Sequence, residues 1–336
     1  MLPFVRGLRN PSAVPDSHQL VILSDVHYAS AGERARGADY ERRGVANPLT
    51  RVALRAYRRF VWLRDPLEKN HLLDQFLAAV GTPDLVVANG DYTCDSAFIG
   101  AADDAACASI RECLGKLRAR FGDRFQATLG DHELGKRNMV GNAGHMSLLS
   151  YERATDALDI PPLWRRDLGR WTLLGVCSTL LGLPHFEADA LAEEVPRWRA
   201  LRADHLEQVR AAFADLGQDR RVLLFCHDPT ALPFLAQEPA VRARMGQLEQ
   251  TIIGHLHTNL VLWKSRWLAG MPEIKALGYT VRKLSRALRE ARAWEPFKVR
   301  LCPALAGIEL LKDGGFLTAE LPGTGPARFQ LHRIRR

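Results

Sequence analysis

The sequence has no long hydrophobic run, and its longest apolar stretch, residues 172–183, is too short to span a bilayer. No apolar signal-peptide segment follows the first residues, so we expect a cytoplasmic protein. The six cysteines include no Cys-x-x-Cys pair and lack the spacing of a small disulfide-linked domain, which predicts reduced and mostly buried thiols. Internal repeats and low-complexity tracts are also missing, which excludes repeat architectures.

Positive charge, by contrast, is in excess. The formal net charge is +8 and the pI is near 9.4. Such a balance favours an anionic partner, and charge alone leaves phosphorylated substrates, nucleic acid and an anionic membrane surface open. Because 47% of the 336 residues are hydrophobic and 25% are charged, we expect a globular protein with one large catalytic domain. We place a leader at 1–18 and that domain at 19–336; the oligomeric state is left open.

Five short polar motifs each follow an apolar run of the kind that forms a buried strand. Helix-like segments separate several of these runs, and this alternation predicts an α/β fold. The carboxyl ends of strands are where α/β sheets bind ligands, so we expect the five motifs to converge. Taken singly, each is equally well explained by a helix cap or a buried histidine; together they favour a site. The motifs are Asp25-Val26-His27, Gly90-Asp91, Gly130-Asp131-His132-Glu133, Cys226-His227 and Gly254-His255-Leu256-His257.

The side chains of these motifs are imidazoles and carboxylates, without a thiolate. Such a set suits divalent Mn, Fe, Co or Zn, and we favour Mn. The ligands are too many for one ion. We therefore expect two ions, roughly 3.5–4 Å apart and sharing a carboxylate, that clamp a phosphate and ionise a bridging water.

In their order along residues 23–258, the motifs resemble the signature of the calcineurin-like metallophosphoesterases. That signature is Asp-x-His, Gly-Asp, Gly-Asn-His-Glu or Gly-Asn-His-Asp, His, and Gly-His-x-His. The resemblance implies a four-layer αββα sandwich, in which two mixed β-sheets lie between helices. It also implies an enzyme, in which a metal-bridging hydroxide attacks phosphorus in line to hydrolyse a phosphoester or pyrophosphate.

The resemblance also assigns a role to each motif residue. His132 would face the leaving group and give it a proton. The remaining residues would be metal ligands: Asp25, His27 and His257 for the first ion, Asp91 as the bridge, and Asp131, His227 and His255 for the second.

Two departures from the family pattern concern Asp131 and the residue that orients His132. Asp131 stands where the family has Asn, and it adds a negative charge if ionised. Some members carry an Asp three residues after the bridging one, which orients the catalytic histidine. Here Cys94 is at that spacing and Asp95 follows it. The partner that orients His132 is therefore left open.

An insertion at about 28–64 separates the first motif from the rest of the domain. Its second half, 50–64, has helical periodicity, with arginines on one side and apolar residues on the other. A second basic and aromatic segment at about 263–298 follows the fifth motif. We take both segments as candidates for contact with substrate or with an anionic membrane. The candidate substrate-binding residues are Arg55, Arg58, Arg59, Lys136, Arg137 and His145.

Segments of this kind suit a substrate with a phosphate and a long apolar part. Within the resembled family, the chain is similar to the UDP-2,3-diacylglucosamine pyrophosphatases of lipid A synthesis, which would place it peripherally on the cytoplasmic membrane face. One alternative is a phosphodiesterase that acts on nucleotides or nucleic acid. Another is a non-catalytic scaffold that keeps the fold. A third reading is that both segments simply pack on the core and expose solvated arginines.

Further predictions concern elements around the site. Asp65 is expected to cap a helix that runs to about residue 79. Residues 260–263 are predicted to form a strand, and 274–294 a basic helix. Near the carboxyl terminus, 308–311 and 316–321 are predicted to pair as a hairpin.

Overall fold

The computed structural model describes residues 17–37, 45–93, 98–138, 141 and 143–335. Within them, the strands are β1 Ser17–Leu23, β2 Leu85–Ala88, β3 Phe125–Ala127, β4 Leu163–Leu168, β5 Trp171–Val176, β6 Arg221–Cys226, β7 Leu248–Ile253, β8 Val299–Leu301, β9 Gly315–Pro322 and β10 Arg328–Arg333. The helices are α1 Ala31–Arg36, α2 Pro48–Phe60, α3 Asn70–Ala79, α4 Asp104–Phe121, α5 Asp131–Leu134, α6 Leu148–Glu152, α7 Ser178–Leu181, α8 Leu183–Phe186, α9 Val195–Ala214, α10 Leu232–Leu235, α11 Pro239–Ala243, α12 Asn259–Trp267 and α13 Tyr279–Glu290.

The strands form two five-stranded mixed sheets. The first has the order β10-β9-β1-β2-β3, and the second has the order β4-β5-β6-β7-β8. In the first sheet β1, β2 and β3 are parallel, while β9 and β10 run antiparallel at one side. In the second, β5 to β8 are parallel and β4 is the antiparallel edge.

Alternating side chains of β1 show how the layers are stacked. Leu20 and Ile22 belong to the same buried cluster as Phe225 of β6, so the two sheets pack face to face. Val21 and Leu23 point the other way, into a cluster with α3 and α4. Helices α9 and α10 cover the outer face of the second sheet in the same manner. The predicted four-layer αββα sandwich is therefore confirmed.

The parallel strands bring the polar motifs to one edge of the sandwich. The backbone N–H of Asp25, after β1, donates to the carbonyl of Gly90, after β2, at 3.0 Å. In the second sheet, the N–H of Gly254 after β7 donates to the carbonyl of His227 after β6, also at 3.0 Å. An isolated bridge between Ser24 and Ala304 then joins the two sheets at this edge.

Two of the predictions near the carboxyl terminus are wrong. Residues 260–263 lie inside α12, because the Thr258 hydroxyl accepts from the N–H of Leu260 and caps a helix where a strand was expected. Residues 308–311 form turns, and the hairpin is made by β9 and β10. The predicted basic helix at 274–294 is shorter than expected, with α13 followed by a 3-10 segment, Ala291–Phe297.

The predicted helix start at Asp65 is also wrong. Asp65 makes no capping bond through its side chain and has a positive φ of 46°, and a 3-10 turn, Pro66–Glu68, precedes α3. The five cysteines in the described ranges are free and buried, as predicted. No helix in the described ranges has both the length and the apolar character to cross a membrane.

Candidate dinuclear metal centre

The loops after β1 and β7 bring together the first group of ligand atoms. Asp25, His27 and His257 each offer one atom, and these atoms lie within 4.8 Å of one another. His257 Nε2 is 3.3 Å from Asp25 Oδ1 and 3.4 Å from His27 Nε2. All three residues are buried. One carboxylate and two imidazoles around a common point form a suitable set of ligands for a divalent transition metal.

The second group adjoins the first and is richer in carboxylates. Asp91, Asp131, His227 and His255 place one atom each within 4.8 Å of the others. His227 Nε2 is 3.1 Å from Asp91 Oδ2 and 3.4 Å from Asp131 Oδ1. His255 Nδ1 is 3.0 Å from Asp131 Oδ1. The structure thus brings together all seven residues that were predicted from sequence to bind metal. The carboxylate of Asp91 lies in the second group, so its role as a bridge between the two ions stays a prediction.

Three of these buried ligand atoms lack a hydrogen-bond partner within the described residues. They are Asp25 Oδ1, Asp91 Oδ2 and His227 Nε2. Buried polar atoms are ordinarily satisfied, because an unmet one costs roughly 1–3 kcal/mol. Asp91 Oδ2 and His227 Nε2 face each other in the second group, and Asp25 Oδ1 lies in the first, so a cation bound in each group would satisfy these atoms. The residues therefore fit a divalent metal in each group.

Backbone strain also concentrates at these positions. Among the described residues, nine that are not glycine have a positive φ, and five of the nine are candidate ligands. Each such residue costs on the order of 1 kcal/mol or more, and such strain persists where the surrounding structure requires it. The five ligands, with φ between 50° and 60°, are Asp25, His27, Asp91, His255 and His257.

The fifth motif begins with glycine because position 254 has no room for a side chain. A Cβ at this position would lie 2.6 Å from Asp25 Oδ2 and 2.9 Å from His227 Nδ1, both of which are closer than real side chains tolerate. The loop after β7 can therefore approach the loops after β1 and β6 only with glycine here. This close approach sets His257 against the first group and His255 against the second.

Hydrogen bonds from the far side of the rings fix the orientation of the imidazoles. His227 Nδ1 donates to the carbonyl of Asn89 at 2.5 Å, which leaves Nε2 for the site. His255 uses Nδ1 toward Asp131, while its Nε2 lies 3.5 Å from Asp228 Oδ2. Partners of this kind set the tautomer and raise the basicity of a ligating histidine. Asp228, which is buried, was missed by the sequence analysis although it directly follows the fourth motif.

The orienting partner of His132 proves to be a backbone carbonyl. Thr93 offers its oxygen to His132 Nδ1 at 3.1 Å and to His27 Nδ1 at 3.3 Å. The Thr93 hydroxyl in turn donates to Glu33 Oε2 at 3.0 Å. Nε2 of His132 is thereby directed toward the site, 3.5 Å from Asp91 Oδ2, and the side chain is 12% exposed. Cys94 and Asp95, the positions considered from sequence, lie outside the described residues.

Charge differs between the two groups. Burial lowers the pKa of His257 well below its usual range, and repulsion from His27 acts in the same direction. Burial also lowers the pKa of His132, to about 3. The pKa of His255 is instead raised to about 9, because Asp228 and Asp131 outweigh the opposing effect of burial. His257 of the first group is thus held neutral, whereas the carboxylates beside His255 in the second group favour positive charge.

Glu133 holds the loops of the second group together. Its carboxylate accepts from the N–H groups of Gly130 at 2.8 Å, Asp91 at 3.1 Å and Tyr92 at 2.8 Å. Burial and the nearby charge of Asp91 raise its pKa to about 7. The last residue of the third motif is therefore a clamp between the loops after β2 and β3, a role that the sequence analysis did not assign.

Replacing Glu133 with Ala is expected to lower the free energy of unfolding by roughly 2–4 kcal/mol, because three buried N–H groups lose their acceptor. Denaturant unfolding, with the metal first removed by a chelator, measures this effect without a contribution from bound metal. The control, Glu133→Gln, keeps one acceptor oxygen and should lose less. A loss below about 1 kcal/mol for Glu133→Ala would show that the carboxylate is not a clamp.

The predicted arginines line a cleft at the end of α2. Arg55, Arg58 and Arg59 surround a cavity of about 190 Å³ together with residues 63–66. Trp62 links this region to the metal centre, since its ring lies 4.5 Å from that of His257 between centroids. Contact between these arginines and a substrate stays a prediction.

The three remaining substrate candidates lie after the third motif. Lys136 Nζ is 2.7 Å from Asp131 Oδ2, so it is paired with a candidate ligand. Arg137 is exposed, donates to the carbonyl of Gly141 and lies over the ring of Tyr279. His145 is exposed as well. Of the three, Lys136 therefore lies against the metal centre. Contact between any of them and a substrate stays a prediction.

Comparison with known proteins finds a likeness among solved structures. No protein-family model matches the sequence, and no curated protein matches it. Among solved structures, the crystal structure of a dimetal phosphatase from Danio rerio is similar over 95% of this chain and 97% of that chain, with 14% sequence identity and a TM-score of 0.46. A similarity of this size leaves the chemistry of the site to be argued from its own residues.

Proposed function

We propose that this protein hydrolyses phosphoesters or diphosphates with two divalent metal ions. The observation that carries the proposal is the pair of adjoining, largely buried ligand groups at one edge of the sandwich. Bound divalent cations supply Lewis acidity toward phosphoryl oxygens and hydroxide at neutral pH. The histidine and carboxylate ligands suit manganese, iron or zinc, and we favour manganese.

The protein's own residues position the substrate side of this reaction. Thr93 fixes His132 Nδ1, so the ring can turn only Nε2 toward the centre. When Nε2 carries a proton, it is placed to give that proton to the departing oxygen. Burial lowers the pKa of His132 to about 3, while Asp91 Oδ2, 3.5 Å away, favours the imidazolium form and opposes this effect. The negative charge of a bound phosphoester acts in the same direction as Asp91, so protonation of the ring is proposed to accompany substrate binding. His132 is therefore the proposed general acid.

The proposal is tested by reconstituting chelated protein with Mn²⁺, Zn²⁺ or Fe²⁺ and assaying three substrate types. These are bis(p-nitrophenyl) phosphate, p-nitrophenyl phosphate and a nucleoside diphosphate sugar. Hydrolysis of at least one type should appear with metal and disappear with chelator. Two bound ions without hydrolysis of any of the three would favour the non-catalytic scaffold instead.

We further propose a lipid-linked substrate, with UDP-2,3-diacylglucosamine as the specific candidate. Two segments with exposed apolar side chains join the centre at His257. Trp62, which follows α2, lies against the His257 ring, and α12 begins just after Thr258, the next residue. On α12, Trp263 and Trp267 are 61% and 76% exposed. On α2, exposed apolar side chains alternate with arginines; they are Leu49, Val52 and Phe60.

This combination suits acyl chains at an anionic bilayer, where apolar side chains insert and arginines meet headgroups. Replacing Trp263 and Trp267 together with Ser is expected to weaken co-sedimentation with phosphatidylglycerol-containing vesicles about 10-fold, because both rings lose apolar contact. Leu149→Ser, which removes an exposed leucine of α6, is the control and should bind as wild type.

Unchanged vesicle binding by the double variant would remove the support for a membrane-bound substrate.

Hydrolysis of UDP-2,3-diacylglucosamine should be compared with cleavage of single-stranded DNA by the same metal-loaded protein. Faster cleavage of the DNA would favour the nucleic-acid alternative.

A further inference from the structure

The two carboxylate oxygens of Asp131 have separate partners. Oδ1 faces the second ligand group, 3.0 Å from His255 Nδ1 and 3.4 Å from His227 Nε2. Oδ2 accepts from Lys136 Nζ at 2.7 Å. The Asp131 side chain is 6% exposed and that of Lys136 is 27% exposed. The ion pair therefore lies at the rim of the centre, with its acidic end inside.

Local backbone geometry brings Lys136 back onto Asp131. Helix α5 ends at Leu134, and Gly135 follows with a φ of 82°. A Cβ at Gly135 would lie 2.5 Å from the carbonyl oxygen of His145, so the chain can turn there only with glycine. The turn places a lysine five residues after the ligand, within hydrogen-bond distance of its outer oxygen.

The Lys136–Asp131 ion pair offsets the negative charge that Asp131 adds to the metal centre. An aspartate at this position adds a third carboxylate to the candidate ligands, which already include the buried Asp25 and Asp91. A lysine ammonium 2.7 Å from Oδ2 favours the charged carboxylate, and the charge of a carboxylate without such a partner would repel a phosphoryl dianion.

We propose that Lys136 and Asp131 form a pair without net charge, which takes the place of a neutral Asn as ligand at position 131. Oδ1 would hold the metal, and the ammonium group would offset the added charge, so that the centre keeps its attraction for anionic phosphoesters. Lys136 is thus a positioning residue that acts through Asp131. The inference rests on the proposed function for its substrate part, while its metal part stands on the ligand group alone.

A double-mutant cycle tests the proposal, with Lys136→Met, Asp131→Asn and the double variant. The first readout is Mn²⁺ affinity of chelated protein by calorimetry. Removing the lysine alone should tighten Mn²⁺ binding, and removing the carboxylate alone should weaken it, each about 10-fold. The double variant, neutral at both positions, should return to within about 3-fold of wild type. The second readout is KM for bis(p-nitrophenyl) phosphate, which should rise in Lys136→Met and recover in the double variant.

Two further variants control for charge and folding. Lys136→Arg keeps the positive charge and should stay close to wild type in both readouts. Lys116→Met removes a lysine from another Lys–Asp pair, at 2.6 Å from Asp74, and should leave Mn²⁺ affinity unchanged. A double variant that binds Mn²⁺ as weakly as Asp131→Asn would overturn the proposal, as would weaker Mn²⁺ binding in Lys136→Met. The Mn²⁺ measurement decides this even if no phosphoester is hydrolysed.

Discussion

Replacing His132 with Ala is expected to lower kcat about 10²- to 10⁴-fold while both metal ions stay bound, since this is the usual contribution of a general acid. The imidazole belongs to neither ligand group, and its Nδ1 is held by the Thr93 carbonyl. Its loss therefore removes proton donation and leaves the metal ligands in place. Metal content by atomic emission and turnover of a phosphodiester are the two measurements.

The size of this effect should depend on the leaving group. A p-nitrophenolate leaves without a proton, so His132→Ala should lose less activity on its ester than on an alkyl ester. His71→Ala, which removes an exposed histidine of α3, is the matched control and should keep full activity. Retained turnover on an alkyl ester, or loss of metal from His132→Ala, would rule out this role.

Replacing His257 or His255 with Ala is expected to remove one ion each, and a different one. His257 belongs with Asp25 and His27, whereas His255 belongs with Asp91, Asp131 and His227. Loss of one ligand from a group of three should cost more affinity than loss from a group of four. We therefore expect His257→Ala to bind about one equivalent of Mn²⁺ and to lose at least roughly 10³-fold in activity, the order of magnitude that follows when a Lewis acid is removed.

Titration calorimetry and metal analysis of both variants measure the split. His185→Ala serves as the control, because His185 is buried and pairs with Glu290 outside either ligand group. It should bind two equivalents, with some loss of stability from the broken pair. Loss of both ions from each variant would contradict this split and show that the two groups bind metal as one unit.

The strands that carry the ligands could be predicted because their sequences are short apolar runs that end in polar motifs. Strands β1, β2, β3, β6 and β7 are formed by the apolar runs that precede the five motifs. β4 and β10 were missed because they are edge strands with charged, partly exposed residues. The run at 260–263 was misassigned because four apolar residues fit a strand or a helix, and the capping Thr258 is the signal that decides for a helix.

The metal ligands can be predicted from residue type and order, whereas the residues that hold them in place cannot. Thr93 contributes a backbone carbonyl, which any residue has, so no side-chain pattern identifies it. Glu133 belongs to the third motif and Asp228 directly follows the fourth. Their partners, the N–H of Tyr92 and the ring of His255, come from distant segments. Lys136 was predicted to meet substrate, and only the folded chain shows its ammonium group on Asp131.

The most direct test of the dinuclear centre is anomalous diffraction at the manganese edge from crystals grown with Mn²⁺. Two peaks are expected, one among Asp25, His27 and His257, and one among Asp91, Asp131, His227 and His255. A single peak, or peaks outside these two groups, would contradict the proposed centre.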